Sequence, residues 1–410
     1  MNEVNSKVKI LWLSAFPPRS HAMDAGTFTF TAYYQHISAD DRFLVKLISY
    51  ENHAVDEVLA ENAGADMALL SQRHNSPFFR IADLDWKFNP LSSTCGLMPN
   101  TVYSLYKQEI RTLFRDGYKP DIVVLDWTQT VLLAPFIKDA LPNVPIVATE
   151  HDVAFVAFER MAKRATGLDG CFLSARAKRL RKREIEALHC CDRIYPYNRD
   201  NDELLASCGI KQEKLSYLIP AYHAMFESDW KGARSKDILF FGALGRMENT
   251  LSAEWFIDNV LPGLLQVDSD LRFVVLGSNP PDRLTARQSA NVVVPGFVED
   301  IRPYFESSLC FVSPLILGAG IKIKILEAMS SGIPVLTNKI GIEGIPAVPN
   351  RDYIHCEGAQ DYLQGVKSLL ADANRGNELS DNERKLMRRE FDTSMSMRVY
   401  ADRLVELAKH

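Results

Sequence analysis

The stretch "SPLILGAGIKIKILEAMSSGIPVLTNKIGIEGIP", Ser313 to Pro346, gathers residue types that can bind phosphate and polyhydroxyl groups. Gly318 and Gly320 stand between a run that reads as a buried strand and one that reads as a helix. Glycine lets the backbone turn sharply and approach a ligand closely. The start of the following helix offers unpaired N–H groups and the positive end of its dipole, which together suit a phosphate or diphosphate. Lys322 and Lys324 add two cations. Cations at a helix N-terminus oppose the dipole, so two of them there imply a compensating anion. Glu327 lies three residues after Lys324 and five after Lys322, so it shares a helix face with Lys324. Its carboxylate can pair with that lysine or accept hydrogen bonds from the two hydroxyls of a ribose.

The surrounding chain supplies the elements that would hold these residues. Strand-like runs alternate with helical ones throughout, the pattern of parallel sheets covered by helices on both faces. In the first half they are "VKILWLSAF", "FLVKLISY", "DIVVLD", "PIVATE" and "RIYPY"; in the second, "DILFFGAL", "LRFVVLGS", "NVVVPGF", "CFVSPL" and "PVLTN". A further strand is expected to end at Pro220, followed by a linker from Glu227 to Asp237. Near the C-terminus "SDNE" looks like a helix cap, and the spacing predicts one broken helix or two consecutive ones. The basic run Arg176 to Cys190, "RAKRLRKREIEALHC", is read as a helix whose charges form either a solvated face or a patch for anionic lipid or a phosphorylated substrate, with residues 176–183 as the candidate membrane contact.

Composition bounds the class. A length of 410 residues favours two domains, or three, and 47% hydrophobic with 24% charged residues is the composition of a folded, soluble protein. The net charge of −5 argues against a nucleic-acid protein with a wholly basic surface. No apolar run approaches the roughly 18 residues of a membrane span, and the N-terminus reads as a first strand and not a leader, so a cytoplasmic location is expected, with peripheral contact at the inner membrane face as its variant. Seven cysteines without metal-ligand spacing suit free thiols; the adjacent Cys190 and Cys191 are the one pair that could form a metal or redox feature. No G-x-G-x-x-G follows a strand at the spacing of a dinucleotide-binding dehydrogenase.

Four segments in order, "FFGALGRMENTLSAEWFIDNVLPGL", "RFVVLGSNP", "VPGFVEDIRPYFESS" and "PLILGAGIKIKILEAMSSGIPVLTNKIGIEGI", resemble the C-terminal half of the group 1 retaining glycosyltransferases. The resemblance implies the GT-B architecture: two Rossmann-like α/β domains facing each other across a cleft, with a C-terminal helix packing back on the first. The corresponding boundaries are 1–225 for the acceptor-side domain, 226–385 for the nucleotide-sugar domain and 386–410 for the returning helix. Glu327 matches the family's ribose-binding glutamate. The second glutamate common in relatives is replaced by Ala319, and "GxGxKxKxLEA" looks like a variant in which glycines and lysines fill the turn.

By the same resemblance the donor site comprises Gly245 and Arg246 in "GALGRMEN", Gly318 to Ile321, Lys322, Lys324 and Glu327, with Gly26 in "DAGT" as a first-domain contribution. Arg246 is assigned to the leaving diphosphate, a role for which guanidinium is suited by its bidentate geometry, and Lys322 or Lys324 is expected to supply the charge of the lysine that relatives carry in that loop and this chain lacks. Asn249, Ala253, Trp255 and Phe256 are read as shaping the helix that follows. His151, directly after "IVATE", matches a polar position near the donor sugar, with Glu150, Asp152 and Arg160 as weaker candidates. The implied reaction moves a sugar from a nucleoside diphosphate sugar to a hydroxyl of a glycan, lipid-linked or small-molecule acceptor, with retention and without metal or other cofactor. A sugar-nucleotide epimerase or hydrolase and a noncatalytic nucleotide-sugar-binding subunit share the architecture and stay open.

Overall fold

The computed structural model describes residues 7–20, 24–71, 92–225, 230–318 and 320–409. The chain divides into two compact units: Met1–Ala221 together with Thr393–His410, and Tyr222–Asp392.

The first unit holds a parallel sheet of six strands: β1 (Val8–Ser14), β2 (Phe43–Tyr50), β3 (Asp66–Leu70), β4 (Ile122–Asp126), β5 (Ile146–Glu150) and β6 (Arg193–Pro196). Their order is β3-β2-β1-β4-β5-β6, so the chain leaves β1 in one direction, returns, and continues from β4 in the other. Alternation along β1 sends Leu11 and Leu13 into one apolar cluster and Ile10 and Trp12 into another, so both faces of the sheet are covered. The second face is closed in part by the last helix, Thr393–Leu407. Tyr400 on it meets Tyr33 and Tyr195 edge-on at 5.6 and 5.2 Å, and Ser396 shares a 2.7 Å hydrogen bond with the Tyr33 hydroxyl. The C-terminal helix therefore packs on the first unit, as the fold expectation required.

The second unit repeats the plan with β7 (Asp237–Phe241), β8 (Arg272–Leu276), β9 (Val292–Gly296), β10 (Cys310–Ser313), β11 (Val335–Thr337) and β12 (Ile354–His355). All pair in parallel in the order β12-β11-β10-β7-β8-β9. Each sheet thus has one point where the strand order reverses, between β1 and β4 and between β7 and β10. In open α/β sheets ligands bind beyond the carboxyl ends of the strands at such a point.

Two local expectations are corrected and an open one is decided. "KLSYLIP" forms no strand: Leu215 makes a single bridge to Ile194, and Ser216 and Leu218 donate to the carbonyls of Ile194 and Pro196. Pro196 offers no N–H in return, which leaves the ladder one-sided there. "SDNE" lies inside the helix Ala373–Glu390, whose cap is Asp372, accepting from the Asn374 N–H at 2.9 Å. Glu383 of that motif is buried and accepts from the Val335 N–H at 2.9 Å, tying the helix to β11. The C-terminal pattern resolves into two helices, Ala373–Glu390 and Thr393–Leu407. Among the described residues no helix is long and apolar enough to cross a membrane.

Candidate functional site

The candidate residues fall into two sets, one at the reversal point of each sheet. In the second unit the loop after β10 runs from Pro314 to Lys322 and leads into the helix Ile323–Ser331. Gly318 and Gly320 have φ of 135° and 72°, values that disfavour any residue with a Cβ, so the two glycines meet a backbone requirement. Ala319, between them, lies outside the described residues. The loop is braced by its neighbours: Thr337 donates to the Ser313 carbonyl at 2.8 Å, and the Asn338 amide to the Leu315 carbonyl at 2.7 Å.

Lys322 is the N-cap residue of this helix, and its ammonium turns back on the loop to the Gly320 carbonyl and to Glu343, 3.6 Å away. The compensating anion expected from the sequence is thus available within the chain. Lys324 does not pair with Glu327. It donates to Asn249 Oδ1 at 2.7 Å and lies 4.7 Å from the centre of the Phe240 ring. Asn249 therefore orients Lys324 besides donating to the Ala243 carbonyl at 2.9 Å. Burial, reinforced by Lys322, lowers the Lys324 ammonium to about 7. Glu327 is buried, accepts from the His223 N–H, and is pushed up by burial to about 8. Lysine and glutamate thus sit close to neutrality at physiological pH, a state that ionised ligand groups would change.

The turn after β7 places Gly245 and Arg246 on the surface at the start of the helix Met247–Asn259. Arg246 stands at the N-cap position of that helix without a side-chain capping bond, and pairs with Glu248 at 2.6 Å. Ala253 and Phe256 point into the core, as their packing role required. Ile321 is half-buried in the loop before Lys322.

In the first unit His151 follows β5 and meets Asp126 at the end of β4, with Nε2 2.6 Å from Oδ1. Trp12 Nε1 donates to the other carboxylate oxygen at 3.3 Å. The Trp127 ring stacks on the imidazole, centroids 3.8 Å apart and planes 9° from parallel, and Tyr197 lies 4.8 Å away. Trp127 has φ of 76°, an outlier for a bulky side chain. Gly26 is the small residue its ring needs: a Cβ there would stand 2.1 Å from Trp127 Cη2. The glycine expected to admit the donor is thus required for aromatic packing, and Asp24 caps the helix through the Thr27 N–H at 2.9 Å.

Behind this cluster Glu150 is buried and accepts from the Thr128 hydroxyl at 2.6 Å, while Glu184 accepts from the N–H groups of Ala154 and Phe155. Burial raises both carboxyls, Glu184 to about 8. Asp126 and Trp127 were absent from the candidates read from sequence. The signal available was the acidic end of "DIVVLD", which becomes informative only when β4 is known to flank the reversal.

The basic run lies in the helix Gly167–His189. Arg176 donates to the carbonyls of Cys95 and Gly96, Arg181 pairs with Glu159, and Lys182 with Glu186. Much of its charge therefore serves contacts inside the protein. No metal-binding group of three or more His, Cys, Asp or Glu residues occurs among the described residues, Cys190 and Cys191 included.

With this geometry in view, residues 235–372 match the family described as group 1 glycosyl transferases, so the second unit carries a glycosyltransferase domain. A 44.6 kDa uncharacterized protein from the cps region of Klebsiella pneumoniae is 24% identical over 136 residues, 31% of this chain and 34% of that protein. The chain thus spans about a third of the curated relative it matches. Among solved structures, Anabaena HepE in complex with UDP aligns with TM-score 0.67 and 11% identity over 97% of this chain and all of its own. Sucrose-phosphate synthase from Thermosynechococcus elongatus aligns with TM-score 0.66 and 11% identity, covering 98% and 99%. S. aureus TarM aligns with TM-score 0.63 and 10% identity over 98% and 100%. The fold is GT-B, with two Rossmann-like domains.

Proposed function

We propose that the protein is a retaining glycosyltransferase that moves a sugar from a nucleoside diphosphate sugar to an acceptor hydroxyl on a glycan, a lipid-linked sugar or a small molecule, with no metal ion. The observation that carries this reading is the group 1 family match over residues 235–372, within which Arg246, Lys324 and Glu327 lie around the reversal of the second sheet. The solved complexes of Anabaena HepE with UDP and with UDP-glucose make a uridine nucleotide the first donor to try.

In this reading Glu327 accepts hydrogen bonds from the ribose hydroxyls, and the diphosphate meets Lys324, Arg246 and the N–H groups at the Gly318–Gly320 turn. Charge builds on the leaving diphosphate as the bond to the anomeric carbon breaks, so cations held near it stabilise the transition state more than the ground state. Lys324 takes up a proton as the phosphate arrives, and Lys322 exchanges Glu343 for the anion. The acceptor hydroxyl attacks from the face the diphosphate leaves and passes its proton to the departing phosphate oxygen. The seven cysteines are all free thiols, which fits a reducing cytoplasm.

The test is nucleotide release by the full chain from UDP-, GDP- and dTDP-sugars, with and without added acceptors. Release that rises with an acceptor, together with a product of retained anomeric configuration, is expected. Acceptor-independent release would instead make the protein a hydrolase, and tight donor binding without turnover a binding subunit.

A further inference from the structure

We infer that Asp126 is a positioning residue that fixes the tautomer of His151, so that imidazole Nδ1 presents a lone pair to a substrate hydroxyl; this rests on the transferase reading above. Strands β4 and β5 are neighbours in register, Asp126 opposite Thr149, which sets the carboxylate beside the first residue after β5. Asp126 is fully buried and each of its oxygens faces a different nitrogen, Trp12 Nε1 at 3.3 Å and His151 Nε2 at 2.6 Å. The indole N–H can only donate, and an ionised carboxylate can only accept. The imidazole proton therefore belongs on Nε2, which leaves Nδ1 unprotonated in the neutral ring.

The ring is also held against rotation. Trp127 covers one face at 3.8 Å, and its backbone adopts a strained positive φ to do so. Gly26 supplies the room that Trp127 needs. On the stacked ring, Trp127 Nε1 is buried and has no hydrogen-bond partner among the described residues. Buried polar atoms of this kind normally find partners, and a ligand rich in hydroxyl groups would provide them. Among the described residues His151 makes no hydrogen bond beyond the one to Asp126.

Asp126→Asn tests the assignment because it leaves shape unchanged and removes one acceptor. The amide has a single oxygen, which Trp12 Nε1 claims, so its NH2 faces His151 Nε2 and drives the proton to Nδ1. The experiment is long-range proton–nitrogen NMR of the full chain at about pH 8.5, where an ordinary imidazole is neutral, with His151→Gln used to assign the signal. The expected result is Nε2–H in the parent and Nδ1–H in Asp126→Asn. In turnover of the nucleotide sugar accepted by the parent, kcat should fall about 10²-fold, the loss typical of a misplaced reacting group. Donor KM and nucleoside diphosphate affinity should stay within about twofold, and imidazole geometry rather than stability is then responsible, since a thermal melt of the isosteric variant reports folding separately. An Nδ1–H parent, a tautomer unmoved by Asp126→Asn, or a flipped tautomer with full kcat would overturn the assignment. If the parent has Nε2–H but transfers no sugar from any donor, the transferase reading falls, and with it the substrate hydroxyl, while the tautomer control by Asp126 stands on the spectra.

Discussion

At the residue scale, the proposed donor site makes Lys324 and Glu327 the groups that set its response to pH. Burial holds Lys324 near 7 and Glu327 near 8, each toward its neutral form. In the proposed site, diphosphate binding needs the ammonium and ribose binding favours the carboxylate. Affinity should therefore fall as pH rises above the lysine value and also as pH drops below the glutamate value, giving a maximum between about 7 and 8. Calorimetric titration of UDP-glucose, whose diphosphate does not change charge in that range, measures the curve. Lys324→Met should remove the alkaline limb, and Glu327→Gln the acid limb. A flat profile in the parent would mean that neither group meets the donor. Lys322 behaves differently, since Glu343 already balances it at 3.6 Å. The sequence showed two lysines beside two glycines but not that one of them has its own carboxylate, because Glu343 acts from across a folded loop.

At the element scale, strands were legible where they are central and buried. The runs "DIVVLD" and "DILFFGAL" are continuous apolar stretches, which is what a strand covered on both faces requires. The edge strands β3 and β12 escaped notice for physical reasons: Asp66–Leu70 lacks any fully buried residue, and Ile354–His355 is only two residues long. "KLSYLIP" was misread because its composition suits a strand while its neighbour, Pro196, cannot complete the ladder. The glycines at 318 and 320 were legible as a turn, whereas the purpose of Gly26 was not, since it depends on the ring of Trp127 a hundred residues away in sequence. Gly26→Ala places a Cβ 2.1 Å from that ring. Overpacking of this kind should cost about 1–3 kcal/mol, read as a lower urea midpoint of the first unit. Unchanged stability would show that Trp127 has another place to go.

At the scale of the whole molecule, the chain builds two reversal points from one plan and then sends its last helix back to the first unit. That helix buries Tyr400, Ala401 and Leu404 against the first sheet's aromatic cluster. Tyr400→Ala should destabilise the first unit by roughly 3–5 kcal/mol, the usual range for deleting a large buried ring. Nucleotide binding, assigned to the second unit, should persist under conditions where the first unit remains folded, and two-probe urea unfolding with nucleotide titration would reveal any loss.

The central claim is that the second unit holds a nucleoside diphosphate at the end of β10, with Glu327 on its ribose. Equilibrium binding of UDP, GDP and dTDP to the parent and to Glu327→Ala tests it most directly. One of the three should bind the parent, and the variant should lose about 1–3 kcal/mol of that affinity, the range for a hydrogen bond to a charged group together with its desolvation. Equal affinity in parent and variant, or no binding by any of the three, would contradict the account.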